Sequence, residues 1–343
     1  MTDLTTFIAG LPKAELHVHH VGSASPQIVA KLAARHPDSR VPKDPEALAK
    51  YFVFRDFAHF IEIYLSVVDL IRDPEDVRIL TYEIAREMAR QNIRYAELTI
   101  TPYSSVTRGI PADAFVEAID DARSSARRDL GVALNWCFDI PGEAGLPAAE
   151  ETLRIALGCK SDGLVSFGLG GPEIGVPRQQ FKPYFDQAIA AGLHSVPHAG
   201  ESTGPQTVWD SLTDLRAERI GHGITSAQDP RLLQYLVEHR IPLEVCPTSN
   251  IATRSAPSLE EHPIKDLVAA GVWVTINSDD PPMFGTDLNT EYAIAARLLN
   301  LDESGVAKLA KNAVDASFMD ASAKAALHTE IDAYVLTYPR AFG

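Results

Sequence analysis

Residues Glu15–Gly22 read ELHVHHVG, and the fold turns on this stretch. Along a strand, residues i and i+2 point to one face. His17 and His19 would therefore project together from the end of a first strand. The turn that follows, HHVGSASP, is not glycine-rich. An open doubly wound sheet usually carries a dinucleotide fingerprint at that turn, and none stands here.

Outward from this stretch, short apolar runs alternate with helical patterns. Candidate strands are Glu15–Val21, Tyr95–Thr101, Ala133–Ile140, Leu164–Leu169, His194–Ala199, Arg219–Gly223, Leu243–Pro247 and Trp273–Ser278. Helical periodicity lies between most of them, at Ala112–Arg128, Ala148–Leu157, Arg178–Ala191, Asp229–His239 and Ile264–Ala270. Eight such units predict an α/β chain folded as a closed (β/α)8 TIM barrel, one domain over residues 1–343. Residues 22–94 are more than one connecting helix needs. They form a helical insertion with patterns at Pro26–His36, Ala47–Phe52, Asp56–Leu70 and Pro74–Gln91. Its Phe52, Phe54, Phe57 and Phe60 either roof a pocket or pack the insertion on itself. A second extension, Thr286–Gly343, reads as extra C-terminal helices.

Composition narrows the function classes. The 343 residues carry 46 acidic and 31 basic side chains, a formal charge of −15. Such a surface repels phosphate backbones and anionic bilayers, so no nucleic acid and no membrane is expected as partner. No apolar run approaches the length of a membrane span. Cys137, Cys159 and Cys246 are odd in number and lack CxxC spacing, which excludes a disulfide scaffold and fits a reducing cytoplasm. The segment MTDLTTFIAGLPKAE has no basic region leading into an apolar one, so no signal peptide is expected. A homo-oligomer is compatible with all of this.

Ligand-type residues recur where strands stop. His17 and His19 end the first, His198 the fifth, His222 the sixth, and Asp279-Asp280 the last. Four strands ending this way point to one mouth of one barrel, where catalytic residues collect. Imidazole and carboxylate without thiolate suit zinc, with iron or manganese open. Glu201, three residues beyond His198, could exchange protons with a substrate. His222 could orient or deprotonate a water. Of the two aspartates, one would face the metal and the other the substrate.

Five motifs in order, HVHHVG (17–22), GLGGPE (168–173), PHAGE (197–201), IGHG (220–223) and NSDDP (277–281), resemble the adenosine deaminase branch of the amidohydrolase superfamily, over about Leu11 to Tyr338. The resemblance implies one zinc ion held by His17, His19, His198 and Asp279. It implies that Glu201 gives a proton to purine N1 and that His222 activates the water attacking C6. It further implies that Asp280 hydrogen-bonds N7 and the Gly171 backbone N–H meets N3. The reaction implied is hydrolytic removal of ammonia from a small 6-aminopurine. Two-metal relatives place a modified lysine or a glutamate at the end of strand 4. No lysine stands there, so a mononuclear site is expected, although Glu173 lies close. The cytidine-type signature fails, since His328-Thr329-Glu330 is followed by no cysteine pair.

The sequence departs from the family at the ribose end. Adenosine-specific members carry an acidic residue where this chain has Val21, which cannot accept a hydrogen bond. Similar deaminases with HVHHVGS act on 6-amino-6-deoxyfutalosine, an intermediate of the futalosine route to menaquinone, in which a benzoate-bearing chain replaces the 5′-hydroxyl. That substrate is the leading expectation. Adenosine or adenine is the alternative, and a non-catalytic purine-binding protein on the same fold is the alternative of another class. Arg55, Arg72 and His59 could meet a benzoate or simply face solvent. Packing roles are expected for His20, His194 and Cys246.

Overall fold

The computed structural model describes residues 4–53 and 57–339. Eight parallel strands run in sequence order: β1 (Lys13–His19), β2 (Ile93–Ile100), β3 (Ala133–Pro141), β4 (Leu164–Gly170), β5 (His194–Ala199), β6 (Ile220–His222), β7 (Leu243–Val245) and β8 (Val274–Ile276). The barrel closes between β8 and β1 at the ends that carry ligand-type residues. Val18 pairs with Asp279, the His19 N–H donates to the Asp279 carbonyl at 2.8 Å, and the Asp279 N–H donates to the His17 carbonyl at 3.1 Å. The Asn277 side chain extends this seam, accepting from the N–H of Leu16 and of His17.

All eight expected strands form. β1 starts two residues early and stops at His19, which leaves Val21 in a 3-10 turn, Val21–Ser23. A helix at Pro205–Thr213 between β5 and β6 was not expected. Its approach, GESTG, is polar and glycine-rich and reads as loop; Pro205 then starts the helix at its first position.

The insertion divides into helices Pro26–Arg35, Pro45–Tyr51, Phe57–Val68 and Pro74–Arg90. The last of these belongs to the barrel wall, since it packs on β2 and on the helix Ala112–Leu130. Its start is set by a capping box between Asp73 and Asp76, followed by Pro74. Phe52 is partly buried against the core. Phe54 and Arg55 lie outside the described residues, as do the side chains of Phe57 and Phe60. At the C-terminus, helices Leu288–Leu299, Glu303–Ala316 and Ala321–Thr337 follow β8; the second packs on β8 and β1 and completes the wall. Among the described residues, no helix is long and apolar enough to cross a membrane.

Candidate active site

Strand ends bring the ligand-type residues together. His17 is buried on β1, and His198 on β5 sits against it with ring centroids 4.5 Å apart. The Nε2 atoms of His19 and His198 approach to 3.2 Å. Asp279 Oδ1 lies 3.2 Å from His19 Nε2 and 3.5 Å from His17 Nε2. His222 stacks edge-on to His17 at 4.7 Å, with Nε2 turned to Glu201 Oε2 at 3.6 Å and Asp279 Oδ2 at 3.8 Å. Both His222 (φ 61°) and Asp279 (φ 65°) adopt left-handed backbone. That conformation costs a non-glycine residue on the order of 1–3 kcal/mol and collects at functional sites.

The donor set fits a metal ion. His17 Nε2 is buried and has no hydrogen-bond partner, although His17 Nδ1 is held by Glu244 Oε2 at 2.9 Å. His198 Nδ1 is likewise engaged by the Leu169 carbonyl at 3.1 Å. In both rings the outer nitrogen is occupied, so Nε2 is the atom presented to the cluster. The cluster is also charge-starved. Burial opposes protonation of His17, yet the neighbouring carboxylates of Asp279 and Glu244 pull it up to about 10. His19 rises to about 9 against the same penalty, drawn up by Asp280 and Asp279. His198 is driven well down by burial and by the two charged rings. Protons thus stand where a cation would sit.

Two groups of described residues have the spacing for an ion: His17 with His19 and His198, and His17 with His222, Cys246 and Asp279. The second asks for a thiolate. Burial pushes the Cys246 thiol well above its usual range, and it faces the Glu244 carbonyl as a donor at 3.6 Å. The first group with Asp279 is therefore the better cradle, and Cys246 is the buried packing residue expected.

Carboxylates complete the site. Glu201 Oε1 accepts from the Thr253 hydroxyl at 2.9 Å. Burial, then the neighbouring Asp279, raises the Asp280 carboxyl to about 7. Asp280 lies across Gly22, where any side chain would run into it. Gly171, at φ 78° on the loop after β4, has the Glu143 carboxylate over it. Glu173 is far from free to bridge a second ion. Its carboxylate accepts from the backbone N–H groups of Gly200, Glu201, Ser202 and Thr203 and from the Ser202 hydroxyl. Arg178, also buried, donates to the His198 carbonyl and lies 3.6 Å from Glu173.

The structure brings together His17, His19, His198, Glu201, His222 and Asp279, with Asp280 next in the chain, while Val21 lies in the turn after β1 and Gly171 just past β4. It also adds supports that were missed. The segment PTSN after Cys246 starts a helix, Pro247–Ala252, which with Thr253 just past its end holds three of the site residues. Ser249 donates to Asp279 Oδ2 at 2.5 Å, Asn250 meets His222 Nδ1 at 3.1 Å, and Thr253 holds Glu201. Glu244 was also missed, though a glutamate between Leu243 and Val245 inside a strand is a signal of an inward charge. Its second oxygen accepts from Arg219 at 2.6 Å. His20 donates or accepts with Thr81 at 2.7 Å and is buried, and His194 pairs with Glu218 and stacks on Phe318. His20 is a buried packing residue and His194 a part-exposed structural one, as expected. Arg72 pairs with Asp38 at the surface and His59 is half-buried.

A family model described as adenosine deaminase matches residues 12–334. The chain belongs to the adenosine deaminase family. It is a hydrolytic deaminase acting on carbon–nitrogen bonds. The aminodeoxyfutalosine deaminase of Streptomyces avermitilis is 74% identical over 338 residues, spanning 98% of this chain and 94% of that relative. The protein of the same name in Streptomyces coelicolor is 72% identical, spanning 98% and 87%. Among solved structures, adenine deaminase from Arthrobacter aurescens superposes with a TM-score of 0.89 at 29% identity, covering 95% of this chain and 100% of that one.

Proposed function

We propose that this deaminase converts 6-amino-6-deoxyfutalosine to its 6-oxo form with release of ammonia, and that residues 1–343 serve this one site as a single domain. The observation that carries the substrate is the 74% identity, over 98% of the chain, to a relative bearing that activity in its name. Val21 supports it. It replaces a hydrogen-bonding residue at the ribose end with an apolar one, half-buried in the turn that follows β1. A pocket made for a substrate hydroxyl would leave that hydroxyl unpaired here. Adenine or adenosine is the second reading, favoured by the likeness to an adenine deaminase structure.

In this reading His17, His19, His198 and Asp279 hold one zinc ion, which supplies Lewis-acid activation of water when bound. The purine enters with C6 toward that cluster. Glu201, steadied by Thr253, gives a proton to N1 and so makes C6 electrophilic. His222 faces the attacking water. Asp280 must donate to reach the N7 lone pair, and burial, which raises its carboxyl, favours the protonated form this needs. The Gly171 N–H meets N3. Water oxygen bonds to C6, the C6–N6 bond breaks, and ammonia leaves.

The test is a deamination assay by the fall in 6-aminopurine absorbance. Adenine, adenosine, methylthioadenosine, adenosylhomocysteine and aminodeoxyfutalosine are compared side by side. The extended substrate should have the highest kcat/KM. A preference for adenosine or adenine would move the enzyme to purine salvage, and no turnover of any of them would leave a binding protein.

A further inference from the structure

His222 has two candidate parts to play toward the water, and a buried chain of hydrogen bonds behind it decides between them. The chain begins at a group with no choice. The backbone N–H of Ile264 can only donate, and it points at His262 Nδ1 at 3.1 Å. That nitrogen must hold a lone pair. Burial pushes His262 down to about 4, so its ring is neutral and its hydrogen is on Nε2. His262 Nε2 then donates to Asn250 Oδ1 at 3.1 Å. This fixes the Asn250 amide, whose NH2 faces His222 Nδ1 at 3.1 Å. An amide NH2 only donates. His222 Nδ1 is therefore an acceptor, and the hydrogen of the neutral ring sits on Nε2.

Turning the amide over does not rescue the opposite arrangement. It would set NH2 against the His262 Nε2–H, donor against donor. Asn250 is fully buried and His222 and His262 nearly so, so no water relieves the clash. The groups on the far side agree. Nε2 faces two acceptors, Glu201 Oε2 at 3.6 Å and Asp279 Oδ2 at 3.8 Å.

We infer that Asn250 and His262 are positioning residues that lock the hydrogen of His222 on Nε2, so that His222 meets the attacking water as a donor and not as a base. The inference rests on the deaminase reading of this site. An Nε2 that already carries a hydrogen has no lone pair for a water proton. It can instead hold the water oxygen and stabilise the charge that builds there as it bonds to C6. The two protons that leave the water end on N1 and on the departing ammonia. Their carriers are the carboxylates that face the same nitrogen, Glu201 and Asp279.

The tautomer is read directly by 15N NMR of the zinc-loaded full chain with labelled histidine, His222 being assigned by its loss in His222→Ala. The expected spectrum has Nε2 protonated and Nδ1 bare. A hydrogen on Nδ1 overturns the inference, and this measurement needs no variant in the relay to fold. Asn250→Asp then sets a carboxylate oxygen against Nδ1 and should draw the hydrogen there. The expected result is an inverted tautomer, unchanged zinc content, KM near wild type, and kcat lowered on the order of 10²-fold, as for loss of one transition-state donor. A wild-type tautomer with wild-type kcat in Asn250→Asp overturns it equally. If no 6-aminopurine is turned over by the wild type, the functional reading fails while the tautomer result stands.

Discussion

At the scale of single residues, two positions carry effects that the site geometry makes specific. Val21 sits in the turn after β1, where an acidic residue would offer an acceptor to a 5′-hydroxyl. Val21→Asp should narrow the preference for aminodeoxyfutalosine over adenosine from both sides. The acceptor gained is one hydrogen bond, so adenosine should improve about tenfold, or ~1.4 kcal/mol. The extended substrate should lose more, because a carboxylate beside its apolar chain must be desolvated or protonated. The measurement is kcat/KM for both compounds on both proteins, and an unchanged ratio would remove Val21 from the specificity argument. Glu173 works through the backbone. Its carboxylate gathers four N–H groups of the loop that carries Glu201. Glu173→Gln keeps the size but turns an NH2 toward those donors, leaving buried N–H groups unpaired at about 1–3 kcal/mol each. The loop must shift, and a displacement of about 1 Å costs on the order of 10²-fold in turnover. Zinc content should hold, since none of the ligand side chains touches Glu173. Near-normal turnover would show that the cradle is not needed. Glu173 was visible in GLGGPE as a residue near strand 4, yet nothing in the motif says that its partners are backbone groups 27 to 30 positions on.

At the scale of elements, strands were legible and the joints between them were not. β1 to β5 stand out because they are six to nine residues long. β6 to β8 shorten to three residues, since their chains turn at His222, Cys246 and Asn277 to present side chains at the mouth. Left-handed backbone at His222 and Asp279 has no decisive sequence signal, because a non-glycine residue of any type adopts it only uncommonly. Asn250 and His262 were invisible for a related reason: their roles are set by a contact across 12 residues and by one backbone amide. The foot of the barrel holds a testable element of its own. The helix Leu4–Gly10 ends over β1, where buried Lys13 Nζ donates to the carbonyls of Ile8 at 2.8 Å and Leu11 at 2.7 Å. A neutral amine has two N–H groups, enough for both. Burial lowers Lys13 from 10.5 to about 7, against an upward pull from Asp287 and Glu15. The folded state therefore binds fewer protons than the unfolded state between about pH 7 and 10.5. Stability gained from this group rises with pH across that window, by an amount on the order of a few kcal/mol, and the penalty is complete below it. Urea unfolding of wild type and Lys13→Met should show the wild type gaining on the variant from pH 7 to pH 10. A constant difference would mean that Lys13 keeps its proton on folding.

At the scale of the whole molecule, the ion and the barrel are one problem. The proposed ligands come from β1, β5 and the end of β8, and three of them, His17, His19 and Asp279, flank the seam where β8 meets β1. Among the described residues that seam is held by one bridge at Val18 and Asp279, two backbone hydrogen bonds, the Asn277 side chain, and the Glu15 carboxylate, which accepts from the N–H and hydroxyl of Ser278. An ion joining His17, His19 and Asp279 would cross-link it, and binding to the folded state alone stabilises by about 2.7 kcal/mol at a hundredfold excess over Kd. Dialysis against a chelator should therefore lower Tm as well as abolish turnover, and added zinc should restore both. The pH dependence has a definite sign. Without the ion His17 and His19 hold protons up to about 10 and about 9, and the ion must displace them. Affinity should rise as pH rises toward those values and fall as the medium is acidified. The Tm gap between zinc-loaded and chelated protein, at fixed total zinc, should be wide at pH 8 and narrow at pH 6. A gap that is absent at pH 8, or that widens on acidification, would mean that these imidazoles do not hold the ion.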